Sequence, residues 1–305
     1  MILSRLPALI LLIILSFSMM AFSSTDSSRS DTEPVDARLT EAIQAFYDSD
    51  WRTARQLLEQ LKTDTPNDPT VYFYDSMLPF WAYFFAGSQN TDAKEFLDRS
   101  ERAIDVSERH LRAARNDTST VLLLSGLHGY RGLVAASERE YRTAIRSAMT
   151  GFTYTRQLLS MDSDDPNAMM GRGVFNYMMG TIPSEVRWVT SFAGFSGDRE
   201  AGFEQLEKAA GAGTHVSVDA LMILTYLYLR DEEFENALRT SQKLVEKHPD
   251  NVIFHFYKAR SLESLGRTAD ARSTYRTVVD LNNNNLLYLR DQAGERLEIL
   301  TAEGL

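Results

Sequence analysis

Apolar and small residues recur along the carboxy-terminal third of the chain with a period longer than any single helix. Ala237 and Ala271 stand 34 residues apart, as do Thr225 and Ala259, Tyr228 and Leu262, and Leu244 and Val278. The small members of these pairs let the two helices of a hairpin approach closely. The large members fill the space between successive hairpins. His248-Pro249-Asp250-Asn251 divides the two units, since proline closes one helix and the polar pair opens the next, and Gly266 marks the turn inside the second. The spacing predicts repeats over 217–249 and 251–284.

The same pattern predicts an earlier repeat over 36–69. A helix at 37–47 is followed by the turn Asp48-Ser49-Asp50 and a second helix at 51–63. Ala54 and Leu61 take the places of Ala237 and Leu244, and Pro66 that of Pro249. Between these outer units longer helices are expected at 71–86, 92–115, 118–137, 141–161 and 167–179. Gly126, Gly129 and Gly132 lay a small-residue stripe along one of them, which suits a close helix crossing. Pro79 is expected to kink or break the helix that contains it. A repeat of 34 residues is that of the tetratricopeptide (TPR) hairpin. The expected fold is therefore all-α: TPR-like antiparallel helical hairpins stacked into a right-handed superhelical solenoid, as a single domain over residues 35–302.

The first residues follow a different logic. Arg5 precedes an apolar run from Leu6 to Phe17, and Ala21 and Ser23 fit the −3 and −1 positions of a cleavage site. Residues 1–23 read as a signal peptide, with an uncleaved anchor over residues 6–22 as the alternative. Residues 24–34, rich in Ser, Thr and Asp, read as a flexible leader. The chain is accordingly expected to be exported, periplasmic or secreted, with membrane contact only through such an anchor.

Composition narrows the chemistry. The 305 residues carry a formal charge of −10, which argues against nucleic acid as a partner, because phosphate contacts need a concentrated basic surface. No cysteine is present, and the five histidines show no metal-ligand spacing. No nucleophile stands at a recognisable spacing from a base and an orienting acid. No catalytic residue, metal or cofactor is expected.

Two segments are candidates for binding. Eight aromatic residues fall within the fourteen from Tyr72 to Phe85, too many for one face of a helix. Among them Tyr72, Tyr74, Trp81 and Phe84 either complete a core or line a groove. Phe175, Asn176 and Trp188, with Met178 and Met179, form the second candidate, again core or contact surface. Asp198 suits the cap of the following helix, Gly194 and Gly197 permit the loop before it, and Arg199 could pair with a carboxylate or a bound anion.

The segment from Gly171 through Gly173, Phe175 and Asn176 to Pro183, followed by Gly194-Phe-Ser-Gly-Asp-Arg-Glu-Ala-Gly202, resembles a block of the tetratricopeptide repeat protein 39 family and its fungal relatives involved in inclusion-body clearance. The resemblance implies a helical TPR-like scaffold without known catalysis. The expected function is a non-enzymatic scaffold that binds a protein or peptide partner on its concave face. A small-molecule or lipid carrier with an aromatic-lined cavity is the alternative.

Overall fold

The computed structural model describes residues 33–302 except 88–89, 116, 162–163, 183–196, 215, 282 and 284. The signal segment 1–23, the leader up to residue 32, Trp188 and Gly194 lie outside the described residues. Thirteen helices and no strand occur among those described: α1 Glu33–Tyr47, α2 Trp51–Asp64, α3 Pro69–Phe85, α4 Asn90–Ala113, α5 Thr118–Ser137, α6 Tyr141–Ser160, α7 Pro166–Gly180, α8 Arg199–Gly211, α9 Val216–Arg230, α10 Phe234–Lys247, α11 Val252–Ser264, α12 Thr268–Asp280 and α13 Leu287–Ala302. Helices adjacent in sequence pack on one another, which is the expected all-helical repeat architecture. None of the described helices is long and apolar enough to cross a membrane.

Four hairpins share one turn. Three residues link α1 to α2, α5 to α6, α9 to α10 and α11 to α12. The middle one adopts the left-handed conformation in each case: Ser49 (φ 63°), Arg139 (φ 66°), Glu232 (φ 61°) and Gly266 (φ 69°). The third residue's N–H reaches back to a carbonyl of the first helix: Asp50 to Ala45 at 2.9 Å, Glu140 to Ala135 at 2.7 Å, Glu233 to Tyr228 at 2.8 Å and Arg267 to Leu262 at 2.9 Å. This closure satisfies carbonyls that the helix end would otherwise orphan. Three residues into each second helix lies a buried alanine, Ala54, Ala144, Ala237 or Ala271. The α5–α6 pair thus has the same turn and the same alanine as the three hairpins whose repeat is evident in the sequence.

Residues 35–302, expected as one domain, group into two compact units. The first holds Asn67–Ser76 and Ala93–Ala220. Within it α5 is buried along nearly its whole length, and α6 meets it through the small residues Ala144, Ser147, Gly151 and Thr155. The Ser125 and Thr155 hydroxyls bond at 2.7 Å inside this contact. On the other side Arg131 of α5 donates to the Leu97 carbonyl and to Ser100 Oγ of α4.

The second unit holds the α1–α2 hairpin, Met77–Asp92 and Leu221–Leu305. Here the first hairpin packs beside the last ones, although more than 200 residues separate them. Asn251 Nδ2 donates to the Tyr47 carbonyl at 2.5 Å, His248 Nδ1 lies 2.7 Å from the Asp48 carboxylate, and Asn283 Nδ2 donates to the Ser49 carbonyl at 3.1 Å. Asn251 also caps α11 by accepting from Phe254 N–H at 3.0 Å.

Pro79 does not break its helix: α3 runs through it from Pro69 to Phe85. Proline lacks the N–H that would bond the carbonyl four residues earlier, that of Asp75. The Arg99 guanidinium of α4 stands in, 3.4 Å from this carbonyl, while also pairing with the Asp75 carboxylate. The orphaned acceptor is thereby given a donor, and the helix continues.

Candidate protein-interaction surface

The aromatic segment of α3 turns most of its rings inward. Trp81 is buried against Phe46, at 4.6 Å between ring centroids, with Tyr47 and Phe85 around it. Tyr74 is buried edge-on to Phe73, and Tyr72 is buried beneath the Arg102 guanidinium, 5.7 Å from its ring centre. Phe84, half-buried, lies between Phe80 and Tyr83. The rings that a carrier cavity would need at its wall are packed against one another.

The second candidate segment is a helix crossing. Phe175, Met178 and Met179 are buried, and Asn176 Nδ2 of α7 donates to Gln205 Oε1 of α8 at 2.9 Å. Asp198 caps α8 through Ala201 N–H at 2.8 Å. The Arg199 guanidinium lies 4.8 Å from the Phe203 ring centre and pairs with Glu200 at 3.1 Å. Phe203 meets Tyr177 edge-on at 5.2 Å. Trp188 and Gly194 fall outside the described residues.

The glycines decide how closely α7 and α8 approach. A Cβ at Gly173 would stand 2.8 Å from Leu206 Cγ and 2.9 Å from the Gly202 carbonyl oxygen. A Cβ at Gly202 would stand 2.5 Å from Tyr177 N and 2.8 Å from the Gly173 carbonyl oxygen. At Gly197 it would overlap Met179 Cβ, and at Gly180 the backbone nitrogen of Arg199. The Gly-x-Gly-x-Phe-Asn and Gly-Asp-Arg-x-x-Gly elements are two halves of one backbone-to-backbone contact.

A surface that the sequence did not single out lies on α6. Its inward face is made of small residues and Leu158, while three bulky apolar residues point to solvent. Tyr141, Ile145 and Met149 are 63%, 58% and 69% exposed and occur at successive i, i+4 positions. These three depart from the usual amphipathic arrangement, in which large apolar side chains are buried first. Arg142 and Arg146 each follow a member of the row by one residue, so they form a parallel row about 100° round the helix. Further round the helix come Gln157 and Tyr154.

Those two residues form one wall of a shallow cleft of about 400 Å³, completed by Glu108, Leu111, Arg112 and Arg115 from the end of α4. Tyr154 donates to Glu108 at 3.1 Å, and Gln157 to the Arg115 carbonyl at 3.2 Å. Burial, then the Glu108 charge and hydrogen bond, push the Tyr154 phenol up to about 12, so it stays a neutral donor. Its ring stacks on His128 at 5.7 Å, and burial, helped by the Arg131 charge, lowers that imidazole to about 4. From residue 109 to 156 the chain holds eight arginines and three acidic residues. Arg112, Arg115, Arg142, Arg146 and Arg156 are exposed and form no ion pair with the described residues. A basic, partly apolar surface thus stands on a protein of net charge −10.

Residues 165–286 match the Iml2/Tetratricopeptide repeat protein 39 family. The match opens at Asp165, the cap of α7, takes in the glycine crossing, and ends in the loop before α13. The Iml2/Tetratricopeptide repeat protein 39 likeness therefore rests on helical-repeat architecture, a class associated with scaffolding and protein interaction. It stops short of α6, and the exposed row owes nothing to it.

Sequence reading passed over the α6 surface because the row looks like an ordinary core stripe. The signal that could have revealed it is the small-residue stripe: Ala144, Ser147, Gly151 and Thr155 recur at helical spacing and suit a close inward contact better than Tyr141, Ile145 and Met149 do.

Proposed function

We propose that this chain is an exported, non-enzymatic helical-repeat scaffold that binds a protein or peptide partner, and that α6 with the adjoining cleft is where the partner docks. The observation that carries the reading is the exposed row: Tyr141, Ile145 and Met149 turn to solvent while Ala144, Ser147, Gly151, Thr155 and Leu158 are buried. An exposed, contiguous apolar row beside charged residues is the usual mark of an interaction site. The helical-repeat family likeness supports a scaffold role. Export is supported by Arg5 and the apolar run from Leu6 to Phe17.

The test places a photoreactive phenylalanine analogue at Met149 and, separately, at the exposed Glu295 of α13, with irradiation in the native cell extract. A discrete protein adduct at Met149 that Glu295 does not yield, and that Ile145→Ser suppresses, is the expected outcome. Identical diffuse labelling at both positions, or no adduct at Met149, would overturn the docking assignment.

A further inference from the structure

We infer that the occupant of the α6 surface is an amphipathic helix of another protein, with an apolar face bordered by carboxylates. The inference rests on the protein-binding reading above and specifies the chemistry of the partner.

The shape argues for a helix. Tyr141, Ile145 and Met149 form an i, i+4, i+8 row, which is the ridge that one helix presents to the groove of another. The charge argues for carboxylates. Helix α6 carries Arg142, Arg146 and Arg156 and no acidic residue, and the cleft beside it adds Arg112 and Arg115. All five side chains are arginine, whose planar guanidinium pairs with a carboxylate through two hydrogen bonds. In the cleft lining the Glu108 carboxylate receives the Tyr154 hydroxyl, and the Arg112 and Arg115 guanidinium groups stand beside it without an ion pair to the described residues.

A second copy of this chain fits poorly, because a two-fold contact through the same face would set Arg142 and Arg146 against their own counterparts. A lipid surface fits less well than a helix. The apolar row is one side chain wide and holds neither Trp nor Phe among its exposed members, whereas interfacial helices bury a broad apolar face.

The experiment measures anisotropy of labelled synthetic helices titrated with the purified protein at low and moderate salt. One eighteen-residue peptide has leucines at helical spacing flanked by glutamates; a second has lysines in their place; a third carries a central proline. The acidic helix should bind about tenfold or more tightly than the lysine and proline versions and weaken as salt rises. Ile145→Ser with Met149→Ser should reduce its affinity by about tenfold, and Arg142→Glu with Arg146→Glu should reverse the preference toward the lysine peptide. These side chains are exposed, and circular dichroism of each variant checks that the fold is kept.

Equal binding of the acidic and lysine helices would overturn the inference. So would co-sedimentation with phosphatidylglycerol vesicles that depends on Met149 and exceeds peptide binding, or a dimer in analytical ultracentrifugation that Met149→Ser abolishes. If no acidic helix binds but the Met149 crosslink to a native protein persists, the partner chemistry is wrong and the scaffold reading stands. If both fail, both readings fall.

Discussion

Gly202→Ala tests the α7–α8 crossing at its tightest point. The new methyl carbon would lie 2.5 Å from Tyr177 N, 2.8 Å from the Gly173 carbonyl oxygen and 2.9 Å from Tyr177 Cα. All three are backbone atoms, so no rotamer change relieves the overlap. Ordinary contact begins at 3.4 Å, and reaching it from 2.5 Å requires α8 to retreat by about 0.9 Å. That retreat also loosens Phe203 and Leu206, both buried in the same contact. Overpacking of this kind costs about 2–3 kcal/mol, against which alanine's helix preference over glycine returns about 1 kcal/mol. The net expectation is a loss of about 1–2 kcal/mol. Gly211, in the last turn of the same helix, has nothing within 4 Å of its hypothetical Cβ. Gly211→Ala should therefore be neutral or stabilise by up to about 1 kcal/mol. Urea denaturation followed by far-ultraviolet circular dichroism reads both midpoints, and an unchanged slope shows that the comparison concerns stability alone. A Gly202→Ala midpoint at or above that of the wild type, or a shift matching that of Gly211→Ala, would refute the close-crossing argument.

Two further outcomes are expected. The His128 imidazole, lowered to about 4 first by burial and then by the Arg131 charge, binds fewer protons folded than unfolded between that value and its ordinary one of about 6.5. Its neutral form thus supports the fold fully above this window, and stability falls as pH drops through it, by at most about 3 kcal/mol. His128→Phe keeps a ring beside Tyr154, so its denaturation midpoint should gain on the wild type as pH falls from about 7 to about 4; parallel profiles would contradict the assignment. Asn251→Ala removes the α11 cap and the donor to the Tyr47 carbonyl and should cost about 2 kcal/mol. A thermal midpoint within error of the wild type would show that this contact between the first and last hairpins contributes little.

The repeat was legible where its turn chemistry shows on the surface of the sequence. Gly266 announces a left-handed turn, and the 34-residue alanine spacing then fixes Ala237 and Ala271. The α5–α6 hairpin uses the same turn, but Arg139 holds the left-handed position, and arginine carries no turn signal. Only the spacing from Tyr141 to Ala144 betrays it, matching Trp51 to Ala54 and Phe234 to Ala237. The aromatic segment could not be resolved from pattern alone, since what surrounds Trp81 comes from Phe46 and Tyr47, contributed by a different hairpin. Long-range closure is equally silent: nothing in a local window says that Asn251 reaches back to Tyr47.

The exposed α6 row lies outside the segment that carries the family likeness. The matched segment, 165–286, is rich in features that only geometry demands: glycines where two backbones touch, an aspartate where a helix starts, alanines where hairpins close. Such features persist in any protein built on the same helices, whatever it binds. Tyr141, Ile145 and Met149 serve no such need, because α6 reaches α5 through a different face, about 120° away, and would do so equally well with polar residues in the row. A contiguous row of apolar side chains that packing does not require is the kind of surface on which a partner is sought. The proposed docking face lies outside the matched block, which directs the search for a partner to residues 109–156 and not to the crossing of α7 with α8.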